Sequence, residues 1–186
     1  AVINALNKIL KIDAPADVLE KVALEVGADV PFFIRGGMQR ADGIGEKLTP
    51  VTCNFRPYFV VAVPDKGAST EEVYRIFDGA EHPRTDGTSK ILHAMSFDLN
   101  PYDFLSNSLF PAAVEVVPEI GDAFEKLSAT STMVNMTGSG SAVYAVYETY
   151  SQAFEILQKY KKEFAFISAC VCVDREKTPK QQNSSK

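Results

Sequence analysis

The sequence predicts an α+β fold, in which a short region of helices and a hairpin precedes a larger four-stranded domain. Between residues 57 and 174, apolar runs and helical repeats follow the order strand, helices, strand, strand, helix, strand. This is the β-α-β-β-α-β order of the ferredoxin-like split βαβ fold. Residues 1–55 hold two amphipathic helices and a glycine-rich hairpin. These elements are too few to close a domain alone.

Composition and charge limit the class of partner. The chain has 186 residues and is 46% hydrophobic, which is enough for a well-buried core. Its 19 Lys and Arg against 24 Asp and Glu give a formal net charge of -5, without a long basic run. No apolar stretch approaches the roughly 18 residues of a membrane span. We therefore expect a soluble protein that binds neither nucleic acid nor a membrane.

Two helices open the chain. Residues 1–12 place Val2, Leu6 and Ile9 on one face at helical spacing, but no capping residue precedes them and the chain begins with Ala1 rather than methionine. We expect this helix to belong to a polypeptide with something upstream. The second helix starts near Pro15, which suits a first turn, and stops at Gly27.

The stretch "GADVPFF", residues 27–33, has two interpretations. It predicts a turn that enters a strand, because the residue before a proline is extended, and residues 31–51 then read as two strands around a glycine-rich turn. In a strand Phe32 and Phe33 would face opposite sides, so one could enter the core while the other stacks on a ligand ring. Asp29 could accept hydrogen bonds from that ligand, although a local turn acid is the more frequent role.

The larger domain is predicted element by element. A continuous apolar strand comes first, and the next helix begins at Ser69, which with Glu72 has the capping-box spacing. Pro111 and Pro118 mark helix starts or breaks. The polar segment 175–186 is expected to be mobile. The predicted strands are residues 57–63, 132–136, 141–148 and 165–173, and the predicted helices are residues 69–79, 88–95, 104–129 and 151–164.

The stretch "TGSGS", residues 137–141, lies between two predicted strands. Glycine tolerates positive φ, so the stretch fits a tight hairpin turn, and successive backbone N–H groups in such a turn can also bind an anion. The spacing matches neither the Walker nor the dinucleotide pattern. Taken alone it favours an ordinary turn. Asn107 is interpreted as a polar group at a helix start.

Together these stretches resemble a known family. The run "GADVPFFIRGGMQRADGIGEKLTPV" is similar to the segment that follows the ATP-binding motif in the 4-diphosphocytidyl-2-C-methyl-D-erythritol kinase family of the GHMP kinase superfamily. The runs "PDKGASTEEVYRIF", "NSLFPAAVEVVPEI" and "NMTGSGSAVYAVY" resemble the later landmarks of that family, in the correct order. The resemblance covers residues 1–174. It implies the GHMP kinase fold, with residues 1–55 as the remainder of an N-terminal, ribosomal protein S5 domain 2-like domain and 56–174 as the C-terminal domain.

The resemblance also implies an activity and a set of site residues. The family transfers the γ-phosphate of ATP, with Mg²⁺, to the 2-hydroxyl of a cytidine diphosphate-linked methylerythritol, a small-molecule substrate of the non-mevalonate route to isoprenoids. Such an enzyme would work in a bacterial cytoplasm or a plastid. The implied substrate-binding residues are Asp29, Pro31, Phe33, Ser69 and Thr70. The implied phosphate-side loop, at the domain interface of the family, consists of Thr137, Gly138, Ser139 and Gly140.

Two family motifs have no match in this sequence. They are the first motif, with a lysine near the reacting hydroxyl, and the glycine- and serine-rich phosphate loop that precedes the catalytic aspartate. Both are expected upstream of Ala1, so no catalytic residue and no metal ligand is assigned in this chain, and the chain alone is expected to be inactive. Ser108 also stands where the family often has an acid, which weakens any role for Asn107.

Two alternatives remain open on sequence grounds. One is another GHMP kinase, of the homoserine or mevalonate type, which shares the glycine motif but is not expected to carry "GADVPFF". The other is a non-catalytic ferredoxin-like binding module.

Overall fold

The computed structural model describes residues 1–80 and 87–172. The described chain forms two compact units, which we call the first unit, Ala1–Cys53, and the second unit, Asn54–Cys172. The segment 175–186, predicted to be mobile, lies outside the described residues. The likeness of the first unit to a particular N-terminal kinase domain stays a prediction.

The first unit consists of three helices and a hairpin. The two predicted helices are present as α1 and α2, and the backbone N–H of Gly27 donates to the carbonyl of Ala23 at the end of α2. The hairpin pairs Gln39 with Pro50 and Asp42 with Lys47 in antiparallel register. The elements are α1 (Val2–Ile9), α2 (Ala16–Val26), α3 (Phe32–Arg35), β1 (Gln39–Asp42) and β2 (Lys47–Pro50).

The prediction of a strand from residue 31 onward is wrong, because α3 occupies its first half. Pro31 has φ -56° and ψ -36°, and the Gly36 N–H donates to the Phe32 carbonyl over 2.7 Å. Proline fixes φ at a value that suits the first turn of a helix, and this preference applies here. The guanidinium of Arg35 then donates to the carboxylate of Glu20 on α2. Gly36, with φ 65°, ends the helix.

The second unit contains one four-stranded antiparallel sheet. Its strand order is β4-β5-β3-β6, which is the order of the ferredoxin-like fold, so the predicted topology is confirmed. The elements, in chain order, are β3 (Tyr58–Val63), α4 (Thr70–Asp78), α5 (Gly87–Ser96), a 3₁₀ turn (Pro101–Phe104), α6 (Phe110–Val116), α7 (Glu119–Ser128), β4 (Val134–Met136), β5 (Val143–Tyr147), α8 (Tyr150–Tyr160) and β6 (Phe166–Val171).

The core of the second unit lies between this sheet and its helices. Alternate residues of the central strand β3, Val60 and Ala62, are fully buried, as are Ile120 and Leu127 of α7. Hydrophobic burial of this kind contributes most of the driving force for folding. The hydroxyl of Ser69 accepts a hydrogen bond from the Glu72 N–H and caps α4, as the sequence predicts.

Local signals also set the remaining helix ends. Pro111 occupies the first turn of α6 and Pro118 immediately precedes α7, which confirms both prolines as helix starts. Thr149 and Gln152 form a reciprocal capping box at the start of α8. Within residues 1–80 and 87–172, no helix is both long and apolar enough to cross a membrane.

Candidate functional site

A glycine loop, defined as residues 137–141, joins the edge strand β4 to its neighbour β5. The strands pair up to Met136 and Val143, so the chain must reverse within the residues between them. The Thr137 N–H donates to the Ala142 carbonyl over 3.0 Å. Gly138 has φ 59° and Gly140 has φ 92°, values that L side chains rarely adopt. The glycines are therefore required by the reversal itself.

The side chain of Asn107 holds the first half of this loop. Its Nδ2 donates to the carbonyl of Met136 over 2.9 Å and to that of Gly138 over 2.8 Å. Its Oδ1 accepts from the Leu109 N–H over 3.0 Å, in the turn that leads into α6. Asn107 is thus the polar group before a helix that the sequence predicts. It is also an anchor of the glycine loop, a role that the sequence does not predict.

The helix α4 meets the same loop. The hydroxyl of Thr70, the first residue of α4, lies 2.8 Å from the hydroxyl of Ser139. The hydroxyl of Ser69 is engaged in capping the helix. The structure therefore brings Thr70 to the loop. The positive end of the α4 dipole lies at this point, and Glu71 and Glu72 stand in the first turn of the same helix.

The two glycines of the loop have different surroundings. A Cβ added to Gly140 would lie 3.1 Å from both the Ile120 Cδ1 and the Met136 Sδ, so this part of the backbone rests on the core. A Cβ added to Gly138 would meet no heavy atom within 4 Å. One side of the loop is packed and the other is open.

The first unit has a cavity of about 290 Å³ of its own. Phe33 lines it and is 59% exposed, while Phe32 is 36% exposed and contacts Phe33 edge to face, with ring centroids 5.4 Å apart. The prediction that the two rings point to opposite sides is wrong, because these residues are helical rather than extended. Neither ring enters the core. The lining residues are Asp29, Phe32, Phe33, Gln39, Ala41, Gly45 and Leu48.

The polar groups of this cavity are an acid and an amide. A Cβ at Gly45, which has φ 111°, would lie 3.5 Å from the Asp29 Oδ1, so the turn of the hairpin passes close to the carboxylate. Pro31 is fully buried and is not among the lining residues. The Gln39 Nε2 donates to the Gly36 carbonyl, and the buried Oε1 has no hydrogen-bond partner among residues 1–80 and 87–172. No feature of the sequence predicts a role for Gln39.

The hairpin turn beside the cavity is held by a carboxylate. The Ile44 N–H donates to the Glu46 Oε2 over 2.8 Å. Backbone N–H groups, first that of Glu46 itself and then that of Ile44, hold the pKa of the Glu46 carboxyl below its usual value. Among the described residues, no group of three or more His, Cys, Asp or Glu side chains is placed to hold a metal ion.

Comparison with known proteins identifies the fold and its relatives. Residues 86–165 match the family described as GHMP kinases C terminal. The chain is 40% identical over 143 residues to a 4-diphosphocytidyl-2-C-methyl-D-erythritol kinase of Polaromonas sp. (strain JS666 / ATCC BAA-500), an alignment that covers 76% of the chain and 45% of that protein. It is 31% identical over 182 residues to the enzyme of the same name from Clostridium perfringens (strain SM101 / Type A), covering 92% of the chain and 62% of that protein.

The chain is also similar in structure to solved kinases. A crystal structure of 4-(cytidine 5'-diphospho)-2C-methyl-D-erythritol kinase superposes with a TM-score of 0.73 at 28% identity, covering 90% of this chain and 60% of the other. A homoserine kinase from Cytophaga hutchinsonii superposes with a TM-score of 0.69 at 17% identity, covering 91% and 61%. At that identity the second likeness concerns the fold alone.

A four-stranded split βαβ domain with an anchored glycine loop and these relatives define a class: residues 86–165 are a GHMP kinase C-terminal domain, and the chain has the GHMP kinase fold. Within it, the chain is a homologue of the 4-diphosphocytidyl-2-C-methyl-D-erythritol kinases, as the sequence resemblance predicts. The chain spans about half the length of the curated relatives it matches.

The packing of the two glycines predicts unequal effects of alanine. Gly138→Ala should cost about 1–2 kcal/mol of unfolding free energy, because the left-handed conformation is strained but the space is free. Gly140→Ala carries the same kind of strain and should cost a further 1–3 kcal/mol, roughly, because the methyl group overpacks the core. Urea unfolding of both variants measures the difference. Equal losses, or a larger loss for Gly138→Ala, would show that the loop does not rest on the core.

Proposed function

We propose that this chain is part of a kinase that transfers the γ-phosphate of ATP to the 2-hydroxyl of 4-diphosphocytidyl-2-C-methyl-D-erythritol. The homologues at 31–40% identity support this reaction because they share that name. The anchored glycine loop is the structural observation that carries the proposal, since it offers an anion site on the fold of a kinase. The bacterial relatives support a place in a bacterial cytoplasm, with a plastid as the alternative.

The proposed phosphate side of the site lies in the second unit. The open face of the loop at Gly138 leaves room for a phosphate to approach the backbone, and the hydroxyls of Ser139 and Thr70 lie side by side at the start of α4. Backbone N–H groups of such a loop and a helix N-terminus together favour phosphate oxygens. Thr137, Gly138, Ser139 and Gly140 would thus contact ATP, which supplies the transferred phosphoryl group when bound.

The proposed substrate side lies in the first unit. The exposed ring of Phe33 offers a face on which a cytosine can stack, and Asp29 offers carboxylate oxygens to the amino or hydroxyl groups of the substrate. Pro31 would act by shaping the backbone between them, because it is buried. Ser69 belongs to the second unit, where it would act through the capped end of α4, next to Thr70.

The residues of this chain would bind and orient rather than move the proton. Phosphoryl transfer depends mainly on positioning and on charge stabilisation. No general base is proposed within residues 1–186, and Mg²⁺ would arrive with the phosphates of ATP rather than in a protein cage. We therefore propose that the 186 residues alone bind ligands without turnover.

A matched set of alcohols tests this proposal. The full-length protein should release ADP from ATP with 4-diphosphocytidyl-2-C-methyl-D-erythritol and not with homoserine or mevalonate, whereas residues 1–186 alone should release none. ADP release is followed by a coupled assay. Turnover with homoserine or mevalonate would favour the second kinase class, and a full-length protein that binds no nucleotide would favour a non-catalytic module. Turnover by residues 1–186 alone would contradict the proposal that the general base lies outside these residues.

The stacking role of Phe33 predicts a substrate-specific effect. Phe33→Ala in the full-length protein should raise the KM for the cytidine substrate by about 5- to 150-fold, which corresponds to the roughly 1–3 kcal/mol of one base stack, and should leave the KM for ATP nearly unchanged. Phe97→Ala is the control, because Phe97 is an exposed ring of the second unit. Equal losses for both substrates would remove Phe33 from the stacking role.

A further inference from the structure

We propose that Asn107 is a positioning residue for the nucleotide. Its carboxamide sets the direction of the backbone N–H of Ser139 and thereby the affinity of the glycine loop for phosphate. This inference rests on the proposed function, which it deepens by naming the residue that shapes the phosphate side of the site. Asn107 itself would contact no phosphate.

Each polar atom of the Asn107 side chain has a separate partner. The two protons on Nδ2 match the two carbonyls that it reaches, those of Met136 and Gly138. The acceptor Oδ1 is used by the Leu109 N–H. The amide orientation is therefore determined, because an exchange of nitrogen and oxygen would place an acceptor against two carbonyl acceptors and a donor against the Leu109 N–H donor.

The two carbonyls determine where the next N–H groups point. In a trans peptide unit the C=O and the N–H point in opposite directions. The Met136 carbonyl faces Asn107, so the Thr137 N–H faces away from it and reaches the Ala142 carbonyl. By the same geometry, the Gly138 carbonyl at 2.8 Å from Asn107 turns the Ser139 N–H to the opposite side.

The other contacts of the loop do not hold the peptide unit between Gly138 and Ser139. Thr70 holds the side-chain hydroxyl of Ser139, and the Gly140 N–H donates to the Thr137 carbonyl. Gly138 gives the unit no side chain of its own, and glycine has more backbone freedom than any other residue. Without the Asn107 donors, the unit between Gly138 and Ser139 could rotate and turn the N–H away from a phosphate.

An isosteric substitution separates this role from the role of Asn107 in the turn before α6. Asn107→Asp keeps an oxygen that can accept from the Leu109 N–H, because aspartate forms the same turn as asparagine. It removes both donors and places a negative charge against two carbonyl oxygens. Asn107→Ser, which also keeps a turn acceptor and replaces the two Nδ2 donors by one hydroxyl without adding charge, is the second variant if Asn107→Asp does not fold.

The chain offers a matched control. Asn100 accepts from the Tyr102 N–H in a turn of the same kind, and its Nδ2 contacts Asp103 and Met133 rather than the glycine loop. Asn100→Asp therefore makes the same chemical change in the same unit. It should leave the loop and the affinity for ATP as they are.

The test compares these variants in the full-length protein. For Asn107→Asp we expect faster amide hydrogen exchange at residues 137–140, a KM for ATP raised at least tenfold, and a KM for the alcohol substrate within about twofold of the wild type. Asn107→Ser should change in the same direction by less. Equal changes in both KM values, or unchanged exchange in the loop, would reduce Asn107 to a structural residue and overturn the proposal.

The outcomes also separate this proposal from the proposed function. If the wild-type protein releases no ADP with any of the alcohols, the proposed kinase reaction is wrong, and the nucleotide role of Asn107 is lost with it. If the wild type turns over and Asn107→Asp has a normal KM for ATP, only the role of Asn107 is wrong. Hydrogen exchange without ligand decides separately whether Asn107 holds the loop.

Discussion

The antiparallel pairing of β4 with β5 is the constraint on which the candidate site depends. Both strands are almost fully buried, and their pairing ends at Met136 and Val143, so the chain must reverse at the edge of the core. Such a reversal needs positive φ angles and leaves carbonyl groups without strand partners. The glycines supply the angles and Asn107 supplies the donors. The fold thus determines the conformation of the loop, and its open side at Gly138 is free of neighbouring heavy atoms.

The glycine loop is packed against the core on one side and open on the other. Gly140 lies against Ile120 and Met136, so its position is fixed by the hydrophobic core. Gly138 faces open space, and the hydroxyl of Ser139 meets that of Thr70. An anion site requires backbone donors that are held in place by packing and are open to solvent, because donors that are already oriented need no reorganisation when the ligand arrives.

Local chemistry made much of the fold predictable. The cap at Ser69, the prolines before α6 and α7, and the alternation of apolar runs each act within a few residues, so the order of elements follows from the sequence. The sequence does not predict α3, because an isolated Pro-Phe-Phe run is compatible with a strand, whereas a salt bridge from Arg35 to Glu20, fifteen residues away, favours the helix. The glycine motif can be recognised in the sequence. The contact that anchors it cannot, since Asn107 and Met136 are 29 residues apart.

The central claim is that the glycine loop meets the phosphates of ATP while the cavity of the first unit meets the cytidine group. Backbone amide chemical shifts of the ¹⁵N-labelled full-length protein test it most directly. A non-hydrolysable ATP analogue should move the amide signals of Gly138 and Ser139 most, and cytidine diphosphate should move those of Gly45 and Leu48. An ATP analogue that leaves the loop signals in place would contradict the account.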